Sequence, residues 1–221
     1  MNKKDYISIA NKAANLQIKE LKKIKKVFNK SFVQAVDLIL NCKGKVIFAG
    51  IGKSGLVARK ISATFSSVGI PSFFCDPAQA LHGDMGQIEK KDILIILSYS
   101  GNTSELNNML KYANRFRIQV IGVASKSDSL LLKASDIKIL LPKVKESDVI
   151  GMVPTTSTSI TLLLGDCLAT TVMSKRKFSK EKFKIFHPGG NIGGSLLLAK
   201  DIMVTGKKLP VIDCNRKFKE A

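Results

Sequence analysis

The sequence has 221 residues, the length of one large domain or of one domain with an appendage. Apolar residues make up 45% and charged residues 24%, so the chain can bury a core and wholesale disorder is excluded. The formal net charge is +19, which by itself points to nucleic acid or to an anionic membrane surface.

The positive charge is concentrated in two segments. Residues 1–30 carry nine Lys against two acidic side chains, and residues 171–185 carry six basic side chains against one. Residues 31–170 have a net charge of only +4. The basic side chains are 31 Lys and 5 Arg, and Trp is absent, which argues against base-edge readout and base stacking. We therefore interpret the charge as a Lys-rich solvated surface and expect neither a nucleic-acid nor a membrane partner.

The first predicted element is an amphipathic helix within residues 1–30. Its apolar side chains recur at three- and four-residue steps with Lys between them, and they are Ala10, Ala14, Ile18, Leu21, Ile24 and Phe28. The N-terminus shows no apolar signal-peptide core, and no apolar run approaches the length of a membrane span. The four Cys lie far apart without CxxC spacing, so we expect reduced thiols and a cytoplasmic protein.

Apolar strands and helices then alternate along the chain. The predicted strands are residues 45–50, 71–74, 90–100, 118–125 and 136–142. The predicted helices are residues 56–69, 103–116 (with Thr103 as N-cap) and 155–175. Strands that are apolar almost throughout indicate an α/β fold whose parallel sheet is covered on both faces. Ligands of such sheets bind at the carboxyl ends of the strands, so the turns after the strands are the candidate sites.

The first turn, Gly50–Gly55, joins a strand to a helix. Backbone amides at a helix N-terminus, with Gly52, the Lys53 ammonium and the Ser54 hydroxyl, suit an anion. The turn also matches GxGxxG, and Asp76 follows the second strand, so a dinucleotide site is a competing interpretation. A plain tight turn with Lys53 in solvent is a third.

The second turn follows the strand at 90–100 and is rich in polar side chains, namely Ser98, Ser100, Asn102 and Thr103. A dinucleotide fold does not need this second turn, whereas the three oxygens of a phosphate monoester require many donors. Glu105 lies in the first turn of the following helix, where a carboxylate also serves as an ordinary cap. For Glu105 alone, capping is the favoured interpretation.

The third turn, before the long helix, gathers Glu146 with the hydroxyls of Thr155 and Thr156. The chain has two histidines, His82 and His187. A lone histidine is usually a surface or packed residue, and two histidines without a Cys pair make a poor metal cluster. We therefore expect no metal and no cofactor.

Taken together, these motifs resemble one family. They are GIGKSG at 50–55, PSFF at 71–74, HGD at 82–84, SYSGNTSE at 98–105, PTTST at 154–158, GDCLA at 165–169 and HPGG at 187–190. In this order and spacing the sequence resembles the sugar isomerase (SIS) domain of the arabinose-5-phosphate isomerases. The resemblance implies a three-layer αβα sandwich with a five-stranded parallel sheet, flavodoxin-like, over residues 1–200. Residues 201–221 resemble the start of a CBS region.

The resemblance also implies an activity. The family interconverts D-ribulose 5-phosphate and D-arabinose 5-phosphate, which supplies Kdo and lipopolysaccharide biosynthesis, and it usually forms homotetramers with sites shared between subunits. Its functional positions correspond here to Lys53, His82, Glu105, Glu146 and His187, which overturns the plain interpretations of Glu105 and His187. A substrate-binding position at Asp76 departs from the pattern, because many relatives carry there a histidine that takes part in binding inhibitory zinc.

Isomerisation without a metal cluster is expected to pass through a cis-enediol, with one base moving the carbon-bound proton and an electrophile stabilising the enediolate. We assign the phosphate to the Ser98–Thr103 turn with Ser54. The carbon base is Glu105 or Glu146, and burial is expected to raise its pKa. Lys53 is expected to polarise the carbonyl or the oxyanion, and His187 to move protons between oxygens or to assist ring opening. Two alternatives stay open: a non-catalytic regulator that binds a sugar phosphate, and an isomerase of another ketose phosphate.

Overall fold

The computed structural model describes residues 3–187, 199, 203–209, 211, 215, 217 and 219. The helices are α1 (Lys3–Leu21), α2 (Lys30–Leu40), α3 (Gly52–Ser67), α4 (Pro77–Ala80), α5 (Asn107–Phe116), α6 (Leu130–Ala134), α7 (Thr156–Lys175) and α8 (Lys180–Phe186). The strands are β1 (Val46–Gly50), β2 (Ser72–Phe74), β3 (Ile93–Leu97), β4 (Gln119–Ala124) and β5 (Ile137–Leu140). Short 3₁₀ helices occupy Lys22–Val27, Asp84–Gln87, Ser104–Leu106 and Gly206–Lys208.

The strands described form one parallel sheet in the order β2-β1-β3-β4-β5. In its register Val46 of β1 pairs with Ser72 on one side and with Ile93 on the other, and Ile93 pairs with Gln119. The strand order reverses between β1 and β3, where open α/β sheets have their crevice. The sheet confirms the three-layer α/β architecture with five parallel strands that the sequence predicts.

Both faces of the sheet are buried because successive strand residues point to opposite sides. On β1, Val46 and Phe48 join the apolar cluster formed with α2, α3 and α7, whereas Ile47 and Ala49 join the cluster formed with α5 and α6. The ring of Phe48 meets that of Phe65 edge to face, with 5.1 Å between the ring centroids. This packing fixes the carboxyl ends of the strands, and with them the polar turns.

All five predicted strands are present, within shorter bounds. The largest difference is at β3, predicted at residues 90–100 and observed at Ile93–Leu97. Polar side chains on both sides end the strand. Asp92 accepts the backbone amide of Lys45 before it, and Ser98 accepts the amide of Gly101 after it.

Two predicted helix starts are wrong. α3 begins at Gly52 and not at residue 56, because Gly52 takes a φ of +57°, which favours glycine, and turns β1 directly into the helix. α5 begins at Asn107, after a 3₁₀ turn. Thr103 does not cap a helix with its side chain, and its hydroxyl lies 2.8 Å from the Ser98 hydroxyl.

The predicted apolar stripe of the N-terminal helix is only partly correct. Leu21 is half-buried and Ile24 is buried, whereas Ile18 is 57% exposed. Ala10, Ala14 and Phe28 are also exposed. After Leu21 the helix tightens to three residues per turn, which brings Val27 and not Phe28 to the inner face with Ile24. Further back along α1, the inner face carries Leu16, Gln17 and Glu20.

The chain divides into two compact units, Met1–Phe178 and Ser179–Ala221. The division predicted at residue 200 stays a prediction. Residues 188–190 of the HPGG motif, and most of the tail predicted at 201–221, lie outside the described residues. Among the described residues, no helix is both long and apolar enough to cross a membrane.

The first testable prediction concerns Asp92 at the amino end of β3. Its fully buried carboxylate accepts the amides of Lys45 and Glu89 at 2.7 and 2.8 Å and pairs with the Lys45 ammonium at 3.3 Å. Asp92→Asn keeps the shape but removes the charge, so we expect a loss of about 2 kcal/mol in the free energy of unfolding. Urea unfolding measures it. Asp37→Asn on the exposed face of α2 is the control, and an equally small loss for both variants would contradict the prediction.

Candidate functional site

A cavity of about 990 Å³ opens beside the turns that follow β1, β3 and β5. Part of its lining is apolar and comes from α1, α3 and these turns, for example Leu16, Ile51, Val57 and Val144. The polar lining includes Lys53, Ser54, Tyr99, Ser100, Lys145, Glu146, Asp148, Ser157, Thr158 and Thr161. Apolar walls with a few converging polar groups are typical of small-molecule sites.

The turn after β1 forms the first turn of α3 and contributes Lys53 and Ser54 to the cavity. Lys53 is exposed, and Ser54 is half-buried. The positive φ of Gly52 places both side chains immediately after the strand, where unpaired helix amides already favour an anion. The predicted anion site therefore has its ammonium and its hydroxyl on the cavity wall.

The turn after β3 is held in shape by its own side chains. The hydroxyls of Ser98 and Thr103 lie 2.8 Å apart, and Ser98 also accepts the amide of Gly101. Asn102 accepts the amide of Leu130 at 2.9 Å and so ties the turn to α6. Only Ser100 of the four predicted residues lines the cavity. The roles of Ser98, Asn102 and Thr103 in ligand binding stay predictions, and their observed contacts are structural.

Gly101 has a close steric requirement in this turn. Its φ is +70°, and a Cβ there would lie 2.3 Å from the Ser129 hydroxyl oxygen. Glycine thus allows the turn to press against the segment before α6.

In the part of the chain that the structure describes, Glu146 is one of two carboxylates that line the cavity, together with Asp148. Its Oε2 accepts three hydrogen bonds at the start of α7: from the Thr155 amide at 2.8 Å, the Thr155 hydroxyl at 3.0 Å and the Ser157 amide at 3.2 Å. Desolvation raises the pKa of Glu146, but the hydrogen bonds from Ser157 and Thr155 outweigh it and leave the pKa below its ordinary value. The expected rise of the pKa by burial is therefore wrong for this conformation.

Glu105 lies outside the cavity lining and is exposed in the 3₁₀ turn before α5. Hydrogen bonds from its own backbone amide and from the Ser104 hydroxyl, at 2.8 Å, lower its pKa. The expected raised pKa is wrong here too, because solvent and these donors favour the ionised form. The contacts of Glu105 match the capping role considered first, and its catalytic role stays a prediction.

The three residues that follow Pro154 have different environments at the start of α7. Thr155 bonds to Glu146, and Ser157, which the sequence does not single out, lines the cavity. Thr156 is completely buried, and among the described residues its hydroxyl has no hydrogen-bond partner. Its role in substrate binding stays a prediction, and in this structure the helix turns that side chain into the core.

Tyr99 is a further residue that the sequence does not single out. Its hydroxyl donates to the carbonyl of Pro142 at 3.2 Å and accepts the amide of Val144 at 2.8 Å, so it joins the turn after β3 to the turn after β5. Desolvation raises the pKa of the Tyr99 phenol. Its place within the second polar turn is the only sequence signal that could have drawn attention to it.

Three predicted residues, Asp76, His82 and His187, have yet to be placed. Asp76 caps α4 by accepting the amide of Ala78 at 2.9 Å, and His82 is exposed in the turn after α4. His187 ends α8 in the second unit, where its Nδ1 lies 2.9 Å from the Phe183 carbonyl oxygen and its ring stacks on Phe183. Their roles in the site stay predictions. No cluster of three or more metal-ligating side chains occurs within the described residues.

The structure therefore brings together Lys53, Ser54, Ser100 and Glu146 on one cavity wall, with Thr155 directly behind Glu146. An ammonium, hydroxyls and a carboxylate in one crevice can bind a phosphorylated polyol and move a proton.

The chain is similar to known proteins over most of its length. The family model for the SIS domain matches residues 39–171. RP505 of Rickettsia prowazekii, an uncharacterized protein, is 39% identical over the whole chain, which spans 69% of that relative. Arabinose 5-phosphate isomerase KdsD of Escherichia coli K12 is 37% identical over 91% of this chain, and the match covers 62% of KdsD, less than two thirds of its length.

A solved structure extends the comparison to three dimensions. A protein of Escherichia coli CFT073 in complex with arabinose 5-phosphate has a TM-score of 0.82 and 32% sequence identity, and the match covers 85% of this chain and all of that chain. The similarity thus includes the fold around the cavity and not only the short motifs.

The second prediction concerns the pH dependence of stability through Glu146. Because its pKa is lower in the folded chain than in the unfolded one, its contribution to stability is present above the unfolded pKa and is lost as the pH falls through the folded value. In Glu146→Gln this contribution is absent. We expect the urea midpoints of wild type and variant to differ most above about pH 5 and to converge towards about pH 3. A gap that stays constant with pH would contradict the prediction.

Proposed function

The chain belongs to the SIS domain family, and from this premise we propose that it is a sugar-phosphate isomerase that interconverts D-ribulose 5-phosphate and D-arabinose 5-phosphate. The observation that carries the proposal is the shared cavity of Lys53, Ser54, Ser100 and Glu146. Similarity to KdsD and to the arabinose 5-phosphate complex supports the choice of substrate.

The phosphate is proposed to bind where two helix starts and their hydroxyls meet. Ser54 at the start of α3 and Ser100 after β3 both line the cavity, and the helix amides near them are oriented for an anion. Ser98 and Thr103 hold the second turn in shape through their mutual hydrogen bond. This division gives a phosphate monoester donors from two sides and leaves the sugar in the wider part of the cavity.

The reaction moves one proton between neighbouring carbons. In the direction from the ketose, a carboxylate removes a proton from C1, and the electrons form the C1–C2 double bond of an enediolate. The ammonium of Lys53 stabilises the negative charge on O2. The carboxylic acid then returns the proton to C2, while the O1 hydroxyl loses its proton to solvent or to a side chain and O2 gains one. For that last transfer we retain His187 as a proposal.

We propose Glu146 as the carbon base, because of the two candidates it lines the same cavity as Lys53, whereas Glu105 lies outside the lining. Its low pKa keeps it ionised and ready to accept a proton, although a base works best with a pKa near the working pH. Substrate binding would displace water from the cavity and raise the pKa by desolvation. Glu105 is the second candidate, and the assignment between the two is open to direct test.

The wider setting is also a proposal. We propose that the chain acts in the cytoplasm as a homotetramer that supplies Kdo and lipopolysaccharide biosynthesis. Apolar side chains at the surface support oligomerisation, since Tyr6 and Ile7 of α1 are 56% and 67% exposed, and Ile150 and Met152 beside the cavity are 68% and 77% exposed.

The third prediction tests the activity itself. Incubation with ribulose 5-phosphate should yield arabinose 5-phosphate, and a chelator should leave the rate unchanged, because the proposed steps use side chains only. The assay includes hexulose and heptulose phosphates. If the protein prefers one of these, that sugar phosphate replaces ribulose 5-phosphate as the proposed substrate. Turnover of none, together with binding of a sugar phosphate, would favour a regulatory module, and an absolute need for added metal would contradict the enediol route.

The fourth prediction identifies the base. We expect Glu146→Gln to lower the rate of exchange of the transferred carbon-bound hydrogen with deuterium by about 10²-fold or more, because proton transfer by a positioned base contributes at least that much. Glu105→Gln should have a smaller effect. Glu89→Gln, an exposed carboxylate before β3, is the matched control and should exchange at the wild-type rate. If both Glu105→Gln and Glu146→Gln do so as well, neither residue is the base.

A further inference from the structure

The inner face of α1 is polar where it meets the turn that carries Glu146. Gln17 is half-buried, and Glu20 is only 4% exposed. A helix that only packed on the core would place apolar side chains there, since burying an amide and a carboxylate costs free energy unless each is bonded. The hydrogen-bond partners of these two side chains therefore indicate the role of the inner face of α1.

Gln17 begins a chain of hydrogen bonds that ends on Glu146. Its Nε2 donates to Oγ of Ser147 at 3.0 Å, and that hydroxyl donates to Oγ1 of Thr155 at 3.1 Å. The Thr155 hydroxyl in turn donates to Oε2 of Glu146 at 3.0 Å. Every donor in the chain points towards the carboxylate, and such chains polarise one another.

The other end of the Gln17 amide faces α7. The Ser159 hydroxyl lies 2.9 Å from Oε1 of Gln17 and 2.9 Å from the carbonyl oxygen of Thr155. Nε2 of Gln17 faces Ser147. A glutamine offers a donor and an acceptor in fixed places, so it can bridge α7 and the turn in this orientation. A carboxylate of the same size could not donate to Ser147.

The side chain of Glu20 binds the backbone of the same turn. Its Oε2 accepts the amide of Lys145, the residue before Glu146, at 3.0 Å. The ammonium of Lys23 compensates the buried charge and also donates to the carbonyl of Lys143 at 3.3 Å. Side chains from the end of α1 and from the 3₁₀ helix that follows it thus contact residues 143, 145 and 147, which lie on both sides of Glu146 in the sequence.

We propose that Gln17 and Glu20 are positioning residues of the isomerase reaction, which orient the Glu146 carboxylate and hold it ionised through the Ser147–Thr155 chain and the Lys145 amide. The proposal rests on the proposed role of Glu146 as the base. It assigns α1 a part in the chemistry although, of the two residues, neither lines the cavity.

Several charged or titratable groups surround Glu146. Lys53 of α3 and Asp148 of the same turn line the cavity with it, and Lys145 precedes it in the chain. From the other elements, Tyr99 faces it across the turn after β3, and the Glu20–Lys23 pair lies behind the turn. A test through pH must therefore change the hydrogen-bond chain without changing any of these groups.

Gln17→Leu meets this requirement, because it removes the amide and introduces no charge. With its first donor gone, the chain stabilises the ionised carboxylate less, so the pKa of Glu146 rises. We expect the acid limb of the kcat profile to move to higher pH by about one unit, with the plateau at high pH reduced less than the value at low pH. Gln17→Glu, of the same size, should move the limb at least as far, because its carboxylate draws the Ser147 hydroxyl away from Thr155.

Asp92→Asn is the matched control for general destabilisation. Like Glu20, Asp92 is a buried carboxylate that accepts backbone amides and pairs with a Lys, but it lies at the opposite end of the sheet. It should lower the urea midpoint and leave the acid limb in place. A limb that moves equally in Asp92→Asn and Gln17→Leu would overturn the proposal, as would one that moves in neither.

Amide exchange tests the contribution of Glu20 without turnover. In Glu20→Ala, hydrogen exchange at the Lys145 amide should speed up by about tenfold or more, since its acceptor is lost. The Ala78 amide, held by Asp76, serves as the internal reference. An unchanged ratio of the two amides would show that Glu20 does not hold the turn.

A measurement that does not need turnover separates the role of Gln17 from the proposed isomerase activity. Carbon-13 NMR of labelled Glu146 reports its titration in wild type and in Gln17→Leu whether or not the chain turns over a sugar. An upward shift in the variant without any activity would leave the positioning intact and reject the isomerase. If the Glu146 titration does not shift in Gln17→Leu, and Glu146→Gln is inactive, the role of Glu146 as the base is retained and the role of Gln17 is rejected.

Discussion

In a parallel sheet that is buried on both faces, few positions allow a polar side chain to stay in contact with water. Here the helices cover both sides of β1, β3 and β4, whose residues are buried almost throughout. Polar groups can gather only where the strands end, and at the carboxyl ends the following helices present their unpaired amides. The positions of Lys53, Ser100 and Glu146 around one cavity follow from that constraint. The apolar core thus does more than stabilise the chain, since it fixes the separation of three turns that are distant in sequence.

The sequence predicts this framework well because hydrophobic patterning is a local signal. It fails where local and tertiary demands compete. Thr155 and Thr156 are alike in sequence, yet one bonds to Glu146 and the other is buried, because the exact start of α7 decides which side chain faces the core. The end of the N-terminal stripe fails for a similar reason, since the change to a tighter helix after Leu21, which buries Val27 in place of Phe28, depends on packing. Glu146 is predicted from the third polar turn and from the family resemblance, but the donors that lower its pKa come from nine and eleven residues further along the chain.

The observed role of Glu146 and its proposed role as the base make opposite demands on its pKa. As the acceptor for the start of α7 it satisfies helix amides, which favours the ionised carboxylate and lowers the pKa. As a base it gains from a higher pKa. A pocket that is open to water before substrate binds and drier afterwards reconciles the two roles, because the hydrogen bonds set the geometry in both states while desolvation changes only on binding. Exposed apolar side chains around the opening, such as Val149 and Met152, provide the means to exclude water when they are covered.

The net charge of +19 is not what prepares the cavity for an anion. The charged residues on its wall include Lys53 and Lys145 together with Glu146 and Asp148, so the local charges are nearly balanced. Long-range attraction by the Lys-rich segments can raise the rate of encounter with an anionic substrate and weakens with salt. It cannot place a phosphate to within hydrogen-bonding distance. That placement depends on hydroxyls and helix amides whose positions are fixed by Gly52 and Gly101, two glycines with positive φ at the ends of buried strands. Affinity for the phosphate group should therefore depend more on these two turns than on the number of lysines elsewhere on the surface.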